Sequence, residues 1–192
     1  ILIMAPLTAT TLSKWVNGNA EGLVSSILVA NKKPIVVAPA MNTDMWFDNA
    51  IQQNYKKLRK NSNVLAMYPN KGLLACDQIG IGKIPSNNLI HLALEFILSK
   101  NQSFKFNDLA EKNFLITGGS TSERIDPARR ITNNSSGSMG LLLAQAARFR
   151  GANVTYIHGP LKLNPDLKDG LKSIEIKTGF DLNKIIRGEI GN

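Results

Sequence analysis

The chain has 192 residues, 23 basic and 14 acidic, for a formal net charge of +9, and 43% of it is hydrophobic. That suits one large or two small cored domains, while a single cysteine excludes an internal disulfide and no apolar run reaches membrane-spanning length. The positive charge is spread over both halves with no basic block and no interleaved aromatics, so small anionic substrates are expected rather than nucleic acid.

The first residue is Ile1, not Met, and Ile1–Ala5 is an apolar run leading straight into Pro6. It lacks the basic leader of a secretory signal and reads as a core strand already under way, so the chain is expected to begin mid-protein, in a reducing cytoplasmic setting. Thr8–Asn17 has helical spacing, with Leu12, Trp15 and Val16 inward. Gly18 breaks it, and Ala20–Ala30 resumes with Leu23, Ile27 and Leu28 inward. Ile35–Ala38 is a second strand, and Ala50–Lys60 a helix with Ile51, Tyr55 and Leu58 on one face. Val64–Met67 is a third strand, and Leu89–Ser99 a helix with Ile90, Ala93, Leu94 and Ile97 inward. Short apolar strands alternating with helices predict an α/β fold, a parallel sheet covered on both faces.

Residues 100–112, KNQSFKFNDLAEK, are polar and unpatterned and read as a linker between a first domain over 1–99 and a second over 113–192. The second opens with the strand Phe114–Thr117, which ends at Gly118-Gly119. A long polar loop follows, then a helix with Met139, Leu142, Leu143, Ala146 and Ala147 on one face, then the strand Val154–Ile157. Ser173–Ile176 is a further strand, and a last helix begins near Asp181.

Three loops carry candidate chemistry. Pro39–Trp46 follows a strand directly, where ligands of such sheets bind. Asn42 in it can donate to a carboxylate and accept from an amide at once; it also reads as a turn asparagine beside core Met41, Met45 and Trp46. Gly72–Lys83 holds Cys76 beside Gly80 and Gly82, which predicts a flexible flap carrying a thiol. A lone cysteine among Leu and Ala reads equally as inert and buried. No second Cys or His lies at ligand spacing, so no metal site made by protein side chains is expected. His91 and His158 read as structural or solvated. In the third loop, Ser135-Ser136-Gly137-Ser138 stands at a helix start, where free N–H groups and the peptide dipoles favour an anion. Arg124, Arg129 and Arg130 add positive charge to that loop. The fingerprint G-x-G-x-x-G is absent, which argues against NAD.

The run TGGSTSERIDPARRITNNSSGSMG, followed by AARFRGANVTYIHGP, resembles the start of the phosphopantothenate–cysteine ligases, with Ala128 in place of a valine and Ser138 in place of a common lysine. In the first half, A-P-x-T-A-x-T from Ala5, P-A-M-N-x-x-M-W from Pro39 and A-C-x-x-x-G-x-G-K from Ala75 resemble the phosphopantothenoylcysteine decarboxylases, which are flavin-containing cysteine decarboxylases. The usual Cys-Gly-Asp of that family is here Cys76-Asp77-Gln78. In most bacteria the two enzymes are fused in this order. The resemblance therefore implies two Rossmann-like three-layer domains, both truncated.

It also implies a function. The ligase half would activate 4'-phosphopantothenate with CTP and Mg²⁺ as an acyl-cytidylate for attack by cysteine. Asn133 would resolve that intermediate, and Gly118, Gly119, Ser135, Ser136 and Gly137 would face the nucleotide. In the decarboxylase half the thiol end of 4'-phosphopantothenoylcysteine is oxidised with FMN as acceptor, carbon dioxide leaves, and the enethiolate is reduced. Asn42 would grip the carboxylate and Cys76 supply a proton, while Ala5, Pro6, Thr8, Ala9, Thr11 and Met41 would lie on the flavin side. The family's catalytic histidine is expected upstream of Ile1, so the chain alone is expected to be inactive, and the full protein to be a cytoplasmic homo-oligomer with no membrane or nucleic-acid partner. The rival class is a non-catalytic flavin- or nucleotide-binding regulatory module of the same fold.

Overall fold

A computed structural model describes residues 1–99 and 106–190, so residues 100–105 of the expected linker lie outside the described residues. The chain divides into two compact units: Ile1–Asp108 with Phe149–Gly151, and Leu109–Arg148 with Ala152–Asn192. Each is built on a parallel sheet with helical crossovers, the α/β class that the alternating pattern predicts.

In the first unit β1 (Leu2–Leu7), β2 (Ile35–Pro39) and β3 (Val64–Ala66) pair in parallel in that order. The central strand β2 is buried along its whole length, as a parallel strand covered on both faces should be. Its side chains alternate between two cores. Ile35 and Val37 face Leu12 and Trp15 of α1 (Ala9–Val16), Leu28 of α2 (Leu23–Ala30), Trp46 of α3 (Thr43–Phe47), and Ile51, Tyr55 and Leu58 of α4 (Asn49–Arg59). Val36 and Ala38 face Leu89, Ala93 and Ile97 of α5 (Asn87–Leu98) on the other side. Four of these five helix starts have a donor satisfied by a short polar side chain, Thr8 for α1, Asn42 for α3, Asp48 for α4 and Ser86 for α5, whereas α2 starts at Gly22 with no side-chain cap. Only α2 departs from the expected face: Leu28 is buried, while Leu23 and Ile27 are exposed.

The segment expected to be a flexible flap is an antiparallel hairpin, β4 (Asn70–Leu73) with β5 (Ile79–Lys83), paired from Asn70↔Lys83 to Leu73↔Ile79.

In the second unit the order is β10 (Lys172–Glu175), β9 (Asn153–His158), β6 (Asn113–Gly118), all parallel, with Gly118 paired to His158 at the carboxyl ends. The long polar loop contains a second hairpin, β7 (Ser122–Arg124) with β8 (Arg130–Thr132). Its tip is closed by Asp126, whose carboxylate accepts from Ala128 N, Arg129 N and Arg129 Nε. Those contacts, the Arg129 guanidinium first, hold the Asp126 carboxyl below the usual carboxylate range. Arg129 is thus engaged within the hairpin tip rather than at the helix mouth.

Helix α6 (Ser138–Phe149) turns a different face inward from the expected one. Leu141, Ala144, Gln145 and Ala147 are buried, whereas Met139, Leu142 and Leu143 are exposed. The Gln145 amide decides the rotation: its Nε2 donates to Leu167 O at 2.6 Å and to Asp169 O at 3.2 Å, beside the 3-10 turn Pro165–Lys168. A last helix, α7 (Gly179–Ile190), follows β10. Its start is a reciprocal cap in which Asp181 Oδ2 accepts from Thr178 N and Thr178 Oγ1 from Asp181 N.

Candidate functional site

Each unit gathers predicted residues at the carboxyl ends of its strands, where such sheets bind ligands. In the first unit they surround a cavity of about 460 Å³. Pro6 at the end of β1 forms one wall, and the loop Ala40, Met41, Asn42 after β2 forms another. The hairpin supplies Leu73 to Cys76 and Gly82 to Lys83.

The hairpin reaches this position because two glycines let it. Met41 N donates to Gly82 O at 3.0 Å. A methyl at Gly82 would fall 2.1 Å from Met41 O, and the residue's φ of +153° suits glycine. A methyl at Gly80 would fall 2.0 Å from Thr43 Oγ1, itself buried without a hydrogen-bond partner. Gly80 and Gly82 are therefore docking points for a ladder-paired hairpin, not hinges of a loose loop. Between the two hairpin strands the chain turns tightly, with Asp77 N donating to Leu74 O and Leu74 N to Gln78 O. Asp77 has φ +59°, a left-handed conformation, at the position where the decarboxylases carry glycine.

Asn42 and Cys76, 34 residues apart, are brought into contact, Asn42 Nδ2 lying 3.3 Å from Cys76 Sγ. The orientation of the Asn42 amide is fixed by its other end, because Oδ1 caps α3 by accepting from Asp44 N at 2.8 Å. A carbonyl oxygen tied to a helix start leaves the NH₂ group, with two donors, toward the cavity. Cys76 is exposed, so the inert buried alternative does not describe it. Of the core alternative for the neighbouring residues, Trp46 is fully buried and Met45 is exposed.

Thr8 stands just after β1, where its Oγ1 accepts from Thr11 N at 3.3 Å and bonds Thr11 Oγ1 at 3.1 Å. Ala9 is buried in the core, so only its backbone could meet a ligand. Ala5 is joined to Pro6 by a cis peptide. Thr8, the helix start behind it, and the apolar wall of Pro6, Ala40, Met41 and Leu73 suit a group with a phosphate and a flat apolar ring. Leu73 and Lys83, which the sequence places in the Gly72–Lys83 loop without a role of their own, also line the cavity. Period-two patterning on a short hairpin does not say which face meets a ligand.

In the second unit five glycines bring three backbone segments together. A methyl at Gly140 would lie 2.9 Å from Gly118 Cα, so α6 rests directly on the end of β6. Gly137, at φ +73°, has its would-be methyl 3.3 Å from Gly119 Cα, and that of Gly119, at φ +80°, lies 3.1 Å from Gly159 N. Two stacked rings underlie this turn, Tyr156 and His158, with centroids 5.1 Å apart. Tyr156 OH donates to Gly137 O, and burial pushes its phenol above the usual range. His158 is buried, its Nδ1 bonded to Gly159 O and its Nε2 to Ser173 Oγ, which makes it structural as expected.

Ser135 and Ser136 sit at the α6 start, and their hydroxyls accept from Gly137 N and Ser138 N at 3.3 Å. Both hydroxyls thus shape the turn from within, while the N–H groups of the first helical turn have no partner inside the helix. Asn133, at the exit of β8, is exposed.

Comparison with known proteins follows these two units. A family model described as Flavoprotein matches residues 1–99, and one described as DNA/pantothenate metabolism flavoprotein C-terminal domain matches residues 109–191. The chain is 41% identical over 162 residues to coenzyme A biosynthesis bifunctional protein CoaBC of Haemophilus influenzae, covering 84% of this chain and 39% of that protein. It is 34% identical over 192 residues to the protein of the same name from Escherichia coli, covering 99% of this chain and 45% of that one. A solved PPC decarboxylase mutant complexed with pantothenoylaminoethenethiol is 32% identical, with a TM-score of 0.49 over 52% of this chain and 55% of that one. The chain thus spans less than half the length of these curated relatives.

Proposed function

The chain belongs to the flavoprotein family, and on that premise we propose that it works in coenzyme A biosynthesis, joining 4'-phosphopantothenate to cysteine with CTP and decarboxylating the product, 4'-phosphopantothenoylcysteine, to 4'-phosphopantetheine. The observation that carries this is the 3.3 Å contact of Asn42 with Cys76 at the edge of a cavity at the strand ends. Decarboxylation of a cysteine end needs a grip on the carboxylate and a proton for the carbon left behind. An amide with fixed orientation and an exposed thiol supply those two functions side by side.

Pro6, Met41, Thr8, Thr11 and the backbone of Ala5 and Ala9 would hold FMN, which when bound supplies a two-electron oxidation and its reversal at the substrate's thiol end. The remaining steps fall to the chain's own groups. The Asn42 amide, held by its cap bond, offers an N–H of its NH₂ group to the incoming carboxylate and holds it while its C–C bond breaks. The hairpin, clamped through Gly80 and Gly82, covers the cavity and keeps water out. The Cys76 S–H delivers its proton to the carbon that lost carbon dioxide, and the thiolate recovers a proton from solvent.

In the second unit the α6 start and its glycine turn would take the nucleotide phosphates with their Mg²⁺, through backbone N–H groups and the helix dipole. Asn133 would stabilise charge on the acyl-cytidylate as cysteine attacks.

The test is Cys76→Ser in the full-length, FMN-loaded enzyme, mixed with substrate without oxygen. Carbon dioxide is released once and the product is the oxidised enethiol, not 4'-phosphopantetheine. Normal turnover, or no carbon dioxide, refutes the role of Cys76. A regulatory module would release none from the wild type either.

A further inference from the structure

Helix α7 has a donor at its start that its own cap does not satisfy. The reciprocal cap of Thr178 and Asp181 takes Thr178 N and Asp181 N. Gly179 N donates instead to Glu123 Oε1 at 2.7 Å, across 56 residues of sequence. The peptide dipoles at a helix start favour a carboxylate there in addition to the bond itself. Gly179 has no side chain to hold it off, since a methyl there would fall 3.3 Å from Glu123 Oε1. Glu123 is in β7, in the same loop motif as Asn133.

The hairpin that Glu123 holds leads directly into Asn133. A two-stranded hairpin with three residues on each strand is marginal by itself. Among the described residues, two hydrogen bonds tie it to another element, both at the β10–α7 junction: Ser122 N to Lys177 O at 2.7 Å, and the Gly179 bond to Glu123. The ladder then passes that hold across, with Ser122 opposite Thr132 and Glu123 opposite Ile131. Thr132 Oγ1 closes the open end by donating to Thr121 O at 2.7 Å, and the next residue is Asn133. The Asn133 side chain makes no hydrogen bond among the described residues, so its place is set by the backbone on either side. Beyond it, Lys162 Nζ donates to Asn134 Oδ1 and Lys162 N to Ser136 O. Of the two bonds that hold the hairpin side, Glu123 makes the one that a side chain controls. Building on the role of Asn133 given above, we infer that Glu123 is a positioning residue for transfer of the acyl group to cysteine: by clamping β7 to the α7 start it fixes where Asn133 stands.

The experiment is quenched-flow kinetics on the full-length protein with CTP, 4'-phosphopantothenate and cysteine, as wild type, Glu123→Ala, Glu123→Gln, Asn133→Ala and the double variant of Glu123→Ala with Asn133→Ala. Glu123→Ala binds CTP and forms acyl-cytidylate as the wild type does, but passes it to cysteine about tenfold more slowly, the effect of losing one hydrogen bond to an exposed charged group. Glu123→Gln keeps an acceptor oxygen for Gly179 N and returns transfer to within about threefold of wild type. In the double variant, Glu123→Ala slows transfer by less than about twofold beyond Asn133→Ala alone, because the group it positions is gone. Hydrogen exchange at Gly179 and Ser122 is faster in Glu123→Ala and near wild type in Glu123→Gln. Transfer unchanged in Glu123→Ala overturns the inference. So does equal loss in acyl-cytidylate formation and transfer, which marks general damage to the unit. Failure of glutamine to rescue, or the full tenfold loss repeated in the double variant, overturns it as well. If Asn133→Ala by itself transfers normally, or the wild type forms no acyl-cytidylate, the functional reading falls and the inference with it, a result distinct from the others because exchange at Gly179 still reports the clamp.

Discussion

Replacing Gly82 with alanine puts a methyl where the Met41 carbonyl oxygen already sits, at 2.1 Å. The obstacle is backbone, not the free end of a side chain, so it cannot swing aside. Either the hairpin lifts or the loop after β2 shifts, and both break the 3.0 Å bond from Met41 N to Gly82 O. The bond contributes about 1 kcal/mol, and forcing atoms into a packed contact costs about 1–3 kcal/mol. Together the docked hairpin loses roughly 2–4 kcal/mol against its lifted state. At 1.4 kcal/mol per decade that is roughly 30- to 700-fold faster exchange of the Met41 amide. Hydrogen exchange on full-length Gly82→Ala reads it directly. Gly80→Ala is the internal control, because its methyl meets Thr43 Oγ1, a side-chain atom with no hydrogen-bond partner to lose and a bond to rotate about. Its effect is expected to be at least tenfold smaller. Exchange at Met41 within threefold of wild type in Gly82→Ala, or a larger effect from Gly80→Ala, would refute the docking account.

Three other expectations follow from particular residues. At Asp77, φ +59° favours glycine, so Asp77→Gly is neutral or stabilises the turn by up to about 1 kcal/mol, whereas Asp77→Val costs about 1–2 kcal/mol, both read from exchange at Leu74. The Asp181 carboxyl is held below the usual range, first by Thr178 Oγ1 and then by the Thr178 N–H. A depressed carboxyl stabilises above its unfolded value near ~3.9 and loses that contribution as pH falls through the folded one, so the α7 start frays only below about pH 4 and Asp181→Asn abolishes the dependence. A fraying transition near neutral pH would contradict this. Asn133→Ala in the full-length protein still forms acyl-cytidylate but passes it to cysteine about 100-fold more slowly, seen as accumulation in quenched-flow samples; loss of CTP binding with no accumulation points to a different role.

The strands and the α1, α4 and α5 faces were legible because their apolar residues admit one solution. In α4, Ile51, Tyr55 and Leu58 recur at helical spacing among mostly polar residues, and all three are buried. Helix α6 was misread because it is apolar around most of its girth. Met139, Leu142 and Leu143 form as good a stripe as Leu141 and Ala144, and the choice rests on Gln145 finding two carbonyls near Leu167, a long-range event with no local sign. The hairpin at Ser122–Thr132 reads as loop because its strands are three residues each and largely exposed. The candidate residues came from motifs, but their meaning shifted with the fold. Glycines that suggested looseness at 80 and 82 are points of close approach. The cap bond that aims Asn42 depends on α3, five residues long and too short to show a period.

The contact of Gly118 with Gly140 bears on how this protein can change over generations. In most cores a larger residue on one side is tolerated once a smaller one appears opposite. Here both partners already have no side chain, and a methyl on either would come within 3.2 Å of the other's Cα. No second substitution opposite can open space, so the separation of β6 and α6 lies outside the reach of stepwise variation. Under the proposed nucleotide role, a lineage that shifts its preference must leave the helix where it is and explore instead the side chains of the exposed loop, Asn133 and Asn134 among them.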